Sequence, residues 1–400
     1  MKKIILLASL LLSINGFAQK FQGLAETPPM GWNTWNKFAC DINEEVIKKA
    51  ADAMVESGMK DAGYEYIIVD DCWHGQRDEK GFIHENKEKF PSGMRALIDY
   101  VHSKGLKFGI YSDAGTQTCG GKPGSRGHEY QDALTYAEWG VDYLKYDWCN
   151  TGSQNAEASY TTMGNALYSA GRPVLFAMCE WGENQPWKWA KDIAHTWRTT
   201  GDIFPCFDCE EDHGDWSSWG VMRILDMQDG LRKYAGPGHW NDPDMMEVGN
   251  GMSESEDRAH FTMWSMLSAP LVAGNDLNNM SEATRKILTN KKIIAIDQDS
   301  LGVQAFEYST KDGLETWFKP LADGEWAITF LNRTEEPRKV EFDWEAHKIK
   351  DPDFDYAVDF SKSTFEVNDL WKGKKLKNTG KVLKAEVPPH DVLALRLTKK

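Results

Sequence analysis

Positive charge, clustered histidine and long apolar runs are all scarce in this 400-residue chain. Lys and Arg number 46 against 61 Asp and Glu, a formal net charge of −15. That balance argues against nucleic acid or an anionic membrane surface as a partner. The apolar run Ile4–Ile14 is too short to span a bilayer. No GxSxG elbow supports a serine nucleophile, and no glycine-rich phosphate loop follows the first apolar run. No loop has EF-hand spacing. The CxxC at Cys206 and Cys209 has no second CxxC or paired His nearby, which argues against zinc. A small loop-closing disulfide fits it better. Neither cofactor nor metal is expected.

What is present suits a folded, exported protein. Hydrophobic residues make up 41% of the chain and aromatics 12%, enough for a sizeable core. The 17 tryptophans serve mainly as core, although indole faces also stack on sugar rings. Lys2 and Lys3, the apolar run and Gly16-Phe17-Ala18 have the pattern of a signal peptide over residues 1–18. Export to the periplasm or the medium follows, and disulfides persist there. Seven cysteines leave at least one unpaired.

Between residue 28 and about 277 an apolar run followed by a helical stretch recurs eight times. The runs are Met30–Trp35, Tyr66–Trp73, Leu106–Asp113, Val141–Asp147, Val174–Trp181, Ala194–Arg198, His239–Asp244 and Pro270–Asn275. Asp41 and Glu44 stand at capping-box spacing before one helix, and Gly105 closes another. Strands alternating with helices imply a parallel sheet. Eight units in roughly 250 residues fit an α/β (β/α)8 TIM barrel, set at 24–303. An open doubly wound sheet is the alternative. After Leu301 short runs such as Leu314–Phe318 and Val392–Leu397 carry no helical period. They predict a smaller antiparallel all-β domain over 306–400, a sandwich or Greek key.

Functional groups of such barrels sit at the C-terminal ends of the strands. Those ends carry Trp35, Asp70 and Asp71, Tyr111 and Asp113, Lys145 and Asp147, Cys179, Glu180 and Trp181, Arg198 and Asp202, and Asp242 and Asp244. A single carboxylate there is as readily a helix N-cap. Acidic or aromatic residues at seven of eight ends are not explained by capping. Carboxylates, one lysine, one arginine and indoles suit a neutral polyhydroxylated ligand. Lys145 and Asp147 point the same way on one strand, and taken alone they read as an ion pair. Asp70 and Asp71, adjacent on a strand, are expected to point opposite ways, which weakens a shared metal site. Two carboxylates at strand ends fit glycoside hydrolysis, one ionised to attack and one protonated to release the leaving group. Lys145 favours the ionised form of Asp147, the candidate nucleophile. Asp202 is the candidate acid.

At these residues the chain resembles glycoside hydrolase family 27, the α-galactosidases and α-N-acetylgalactosaminidases. The matching segments are PPMGWNTWNKF (Pro28–Phe38), VDDCW (Val69–Trp73), GIYSDAG (Gly109–Gly115), GVDYLKYDWC (Gly140–Cys149), CEWG (Cys179–Gly182), WRTTGDI (Trp197–Ile203), AGPGHWNDPDM (Ala235–Met245) and APLVAGND (Ala269–Asp276). The resemblance implies an exo-acting retaining α-galactosidase. Asp147 would be its nucleophile and Asp202 its acid/base, with carboxyl groups roughly 5–5.5 Å apart. It implies that Asp70 and Asp71 bind the O6 and O4 side of the sugar and Lys145 the O3/O4 edge, with Trp35 stacked on the ring. Arg198 and Asp244 would meet the O2 side, and Tyr111 would support the nucleophile. Disulfides Cys40–Cys72 and Cys119–Cys149 are implied as well. Cys179 is then the odd thiol, and with Trp181 it would fill the O2 pocket. That bulk favours a free 2-hydroxyl over an acetamido group.

The chain departs from the family pattern in two places. An acidic stretch, Phe204 to Gly214, interrupts the loop after Asp202, and Asp297 stands where the pattern has Asn. The rival activities are those of an α-N-acetylgalactosaminidase and a β-L-arabinopyranosidase. A catalytically inactive galactoside-binding protein is the alternative from a different class.

Overall fold

The computed structural model describes residues 20–399. The expected signal peptide at 1–18 lies outside them. Eight parallel strands form the first sheet: β1 (Met30–Asn33), β2 (Tyr66–Val69), β3 (Lys107–Asp113), β4 (Tyr143–Asp147), β5 (Leu175–Cys179), β6 (Thr196–Arg198), β7 (Trp240–Asp242) and β8 (Leu271–Ala273). Consecutive strands are neighbours from β1 to β7, and β8 returns to pair with β1. The chain just past β7 then bridges β8. Met246 N donates to Val272 O at 2.7 Å, and Gly274 N donates to Met246 O at 3.0 Å. Each of the eight sequence runs contains its strand.

The strands are short and apolar because helices cover their outer faces. Side chains alternate accordingly. Tyr66, Ile68, Tyr143, Leu175, Ala177 and Val272 pack together inside, while Ile67, Val69, Leu144, Tyr146 and Phe176 join the larger core under the helices. On β4 this alternation puts Lys145 and Asp147 on the inner face, in line with Tyr143. The helix Glu44–Glu56 starts from Asn43, whose side chain accepts from Val46 N. The cap is therefore Asn43 and not an Asp41–Glu44 box, because Glu44 turns to Ser92 instead, accepting from its N at 3.1 Å. Gly105, at φ +68°, follows the helix Met94–Ser103.

The C-terminal region is antiparallel. Its six-stranded sheet takes the order Phe306–Lys311, Leu314–Pro320, Trp326–Asn332, Val392–Lys399, Phe365–Asp369 and Lys374–Lys375. Arg338–Phe342 pairs with Leu383–Val387, and Phe318, Ile328, Trp344, Val367 and Leu395 fill its core. It is fastened to the first region by buried polar contacts. Lys319 Nζ donates to Ser265 O at 2.8 Å and to Ser268 Oγ at 2.7 Å. Arg232 holds Asp351 through both carboxylate oxygens, at 2.6 and 2.7 Å. Asp297 is fully buried and accepts from Gln298 Nε2 at 2.7 Å; burial drives its carboxyl up and Lys319 opposes that. The same burial brings Lys319 down to about 8.

Candidate active site

Trp35, Asp70, Asp71, Tyr111, Lys145, Asp147, Trp181, Arg198, Asp202 and Asp244 line one cleft at the C-terminal ends of the strands. Cys179 lies just beneath, with Asp242, on the floor. Every sugar-site and catalytic candidate named from sequence thus falls in or directly under one depression. Asp70 and Asp71 both face it, contrary to the strand-based expectation. The strand ends at Val69, and the chain turns at Cys72, whose φ is +72°. Alternation no longer applies past that end.

Lys145 does not pair with Asp147. Its Nζ donates to Asp70 Oδ2 at 2.8 Å, and Asn33 Nδ2 donates to the same oxygen at 2.7 Å. Lys145 therefore spans from β4 to the end of β2. Burial works against its charge, but Asp70, Cys179 and Asp147 outweigh that and raise its pKa well above the ordinary value.

Asp147 is held by its neighbours: Oδ2 accepts from the Tyr111 hydroxyl at 2.9 Å, and Oδ1 from Trp148 N at 3.0 Å. Burial pushes its carboxyl up to about 6, with Lys145 and the Tyr111 hydroxyl opposing the shift and Asp202 and Asp70 adding to it. Asp113, on the neighbouring strand end, accepts from Gly115 N at 2.6 Å and Cys149 N at 2.9 Å. Burial first, and then Asp147, push it up to about 9. Gly115 has no room for a side chain, since a Cβ would stand 1.9 Å from Cys149 O.

Arg198 organises the opposite wall. Its Nη2 lies 3.1 Å from Asp202 Oδ1 and 3.0 Å from Asp244 Oδ2, and its Nη1 donates to Cys179 Sγ at 3.5 Å. Asp202 stays open to solvent, its side chain 40% exposed against 4% for Arg198. Asp244 takes the left-handed φ of +96°. Its carboxylate accepts from Ile203 N at 2.9 Å and Met245 N at 2.7 Å, which fixes that conformation and ties it to the chain beside Asp202. Burial pushes Asp244 up to about 7, with Arg198 opposing.

Disulfides join Cys40 to Cys72, Cys119 to Cys149 and Cys206 to Cys209, and Cys179 is a free, buried thiol. Cys119 Sγ lies 3.5 Å from Asp147 Oδ2, so the second disulfide forms part of the wall. Asp113, Cys119 and Cys149 cluster like metal ligands, but the two sulfurs are bonded to each other and offer no thiolate. The stretch after Asp202 is a hairpin, Glu210–Asp212 with Ser217–Trp219. Its last residue supports Asp202, since Trp219 N donates to Asp202 O at 3.0 Å. Asn36, Cys119 and Met245 complete the lining. The sequence reading did not single out Asn36, although it stands in the same WNTWN segment as Trp35. Cys119 reaches the cleft only through its disulfide, which strand-end logic does not reveal.

The family model described as alpha galactosidase A matches residues 27–299, and the alpha galactosidase C-terminal beta sandwich domain matches 311–397. The chain belongs to the α-galactosidase family. It is 59% identical over 393 residues to alpha-galactosidase A of Cellvibrio japonicus, covering 98% of this chain and 97% of that one. It is similar in structure to alpha-galactosidase I of Mortierella vinacea, with TM-score 0.88 and 39% identity, covering 94% and 98% of the two chains. An α-galactosidase of Saccharomyces cerevisiae solved with raffinose superposes with TM-score 0.86 at 32% identity, covering 96% of this chain and 100% of that one. The family's eight-stranded parallel sheet and antiparallel C-terminal domain are both present here.

Proposed function

We propose that this chain is a retaining exo-α-galactosidase, releasing terminal α-galactosyl residues from oligosaccharides or polysaccharides by double displacement. The observation that carries this reading is the pairing of two unequal carboxylates in one cleft. Asp147 is enclosed and steadied by Tyr111 and Trp148, while Asp202 is open to solvent beside Arg198. A retaining mechanism needs a fixed nucleophile and an acid that exchanges protons with water.

In the first step the Asp147 carboxylate attacks the anomeric carbon, and Asp202 gives its proton to the leaving oxygen. In the second, Asp202 takes a proton from water, which displaces Asp147 and restores both groups. The Asp70–Lys145 pair, with Asp71, offers acceptors and a donor to the O6, O4 and O3 hydroxyls. Trp35 covers the apolar face of the ring. Cys179, Trp181, Arg198 and Asp244 surround the O2 side, leaving room for a hydroxyl and not for an acetamido group. No helix among the described residues is long and apolar enough to cross a membrane. The three disulfides support our reading of an exported protein.

The test is a panel of aryl glycosides of α-galactose, α-N-acetylgalactosamine and β-L-arabinopyranose. The α-galactoside is expected to give the highest kcat/KM, with product first formed in the α configuration. Preference for another glycone, or a β first product, overturns the reading.

A further inference from the structure

One polar side chain in the cleft is used by neither catalytic step. Asn36 lies in the short helix Trp35–Phe38 that follows β1, beside the ring-stacking candidate Trp35, and lines the cleft. The start of this segment is anchored, since Asn33 Oδ1 accepts from Trp35 N at 2.8 Å while Asn33 Nδ2 donates to Asp70. The Asn36 amide is anchored from behind, its Nδ2 donating to Glu247 Oε1 at 2.6 Å. Glu247 is 3% exposed and is not part of the cleft lining. Its backbone N donates to His260 Nε2 at 3.1 Å, and its second oxygen, Oε2, accepts from Asn250 Nδ2.

These contacts fix which way the Asn36 amide faces. Asn250 Nδ2 also donates to Gly274 O at 3.2 Å. A carbonyl cannot donate, so Asn250 turns its donor toward Glu247. The Glu247 carboxylate is an acceptor on both oxygens, and it takes Nδ2 of Asn36 on the other. Asn36 Oδ1 is the atom left over. No described residue donates to it, and it is not among the enclosed orphan atoms such as Asn275 Oδ1. It therefore opens on the cleft that Asn36 lines. The neighbouring cavity takes Lys37 from this helix and not Asn36. An acceptor whose direction is already set loses little rotamer freedom when a donor arrives. In a cleft otherwise lined by carboxylates, it offers a neutral oxygen to a neutral hydroxyl.

We infer that Asn36 is a further substrate-binding residue, its Oδ1 accepting a hydrogen bond from a sugar hydroxyl, with Glu247 as the positioning residue that sets the amide. The inference rests on the α-galactosidase reading and deepens it. The hydroxyl belongs to the galactosyl ring or to the leaving sugar, and the test separates the two. Asn36→Ala removes the acceptor. Glu247→Gln keeps both side-chain hydrogen bonds but reverses one. Its amide oxygen stays with Asn250, its Nε2 faces Asn36, and Asn36 turns Nδ2 into the cleft. Both variants and their double are assayed above pH 7, because burial pushes the Glu247 carboxyl up to about 7 and the ionised form sets the amide. The substrates are an aryl α-galactoside, its monodeoxy analogues and raffinose. Loss of one neutral hydrogen bond corresponds to roughly five- to tenfold in kcat/KM. A galactosyl hydroxyl is identified by that loss on the aryl galactoside, with one monodeoxy analogue no poorer a substrate for the variants than for wild type. A hydroxyl of the leaving sugar is identified by that loss on raffinose, with the aryl galactosides unchanged within about twofold. In both cases the double variant loses no more than Asn36→Ala alone, since the two residues act as one unit. Wild-type values for either variant on every substrate overturn the inference. For Glu247→Gln they reduce Asn36 to a structural pin, which that change preserves. A uniform loss over the aryl galactoside, every monodeoxy analogue and raffinose overturns it too, as do additive losses in the double variant. Should Asn36→Ala not fold, Glu247→Gln alone decides between these outcomes. Absence of wild-type activity on the aryl α-galactoside refutes the enzymatic reading itself, a separate outcome.

Discussion

Lys145 Nζ sits 2.8 Å from Asp70 Oδ2, joining the ends of two strands that are 75 residues apart in the chain. Both side chains are nearly enclosed, at 13% and 2% exposure. The lysine therefore acts on the candidate nucleophile of its own strand through charge and not through a hydrogen bond, and Asp147 accepts from the Tyr111 hydroxyl and Trp148 N. The cation and the first sugar-binding carboxylate form one unit, and substrate hydroxyls meet the two as a set.

Removing one half of that unit strands the other. Lys145→Met leaves Asp70 as a buried charge answered by Asn33 Nδ2 and Asp71 N but by no cation, a cost of about 3–5 kcal/mol for such pairs. Asp70→Asn added to Lys145→Met removes the stranded charge, so the double variant is expected to recover part of that stability in urea unfolding. It is not expected to recover activity. A double variant no more stable than Lys145→Met would show that the pair is not energetically coupled.

Asp147→Asn separates function from stability. The amide keeps an acceptor for Trp148 N but cannot attack carbon, so turnover is expected to vanish while the circular dichroism spectrum stays unchanged. In the wild-type enzyme, a nucleophile whose carboxyl is pushed up to about 6 must lose its proton to act. The acid limb of kcat/KM is then expected to fall as pH drops through about 6, reporting Asp147 together with Asp113 beside it. The stability effect has the opposite sign. A folded-state pKa above the unfolded value favours folding fully at low pH, and that contribution is lost as pH rises through about 6. Relative to wild type, Asp147→Asn should therefore gain stability between pH 4 and 7. Thermal melts across that range check it, and a constant offset would contradict the assignment of the shift to Asp147.

The Cys119–Cys149 disulfide closes a loop with a sequence separation of 30 residues. Loop-closure entropy puts its contribution near 3.5 kcal/mol. Because Cys119 Sγ also lies against Asp147, the Cys119→Ser/Cys149→Ser variant is expected to lose kcat at temperatures where it is still folded. Cys206→Ser/Cys209→Ser, closing a separation of only 3, should cost much less stability. Equal losses in chemical unfolding would contradict this ranking.

The strands and the cleft were legible because their signals are local. A short apolar run marks each barrel strand, buried on both faces, and the C-terminal end of each strand faces the cleft by topology alone. What the sequence could not convey is which groups meet across the barrel. Lys145 and Asp147 are two residues apart and share a face, so an ion pair was the natural reading. Only the sheet order β2–β3–β4, closed into a barrel, brings Asp70 within reach of Lys145. Asp70 and Asp71 illustrate a second limit, since strand alternation ends where Cys72 turns the chain. The strands Phe306–Lys311 and Leu383–Val387 went unread because they alternate with exposed charged residues, and sheet pairing holds them more than apolar content does.

Asp202 gives the sharpest test of the division of labour. It is open to solvent and touches Arg198 through one oxygen, so replacing it disturbs little of the fold. Asp202→Ala removes the proton donor from the first step. A dinitrophenyl galactoside, whose leaving group needs no proton, should therefore still form the glycosyl intermediate quickly. An alkyl or sugar leaving group should be slowed by 10²–10⁴-fold. The second step loses its base, so the intermediate is expected to accumulate as a burst of dinitrophenol, and azide, a nucleophile needing no base, should restore turnover as the α-galactosyl azide. Equal loss on both leaving groups, without burst or azide rescue, would move the acid/base role to another carboxylate in the cleft, with Asp244 next to be tested.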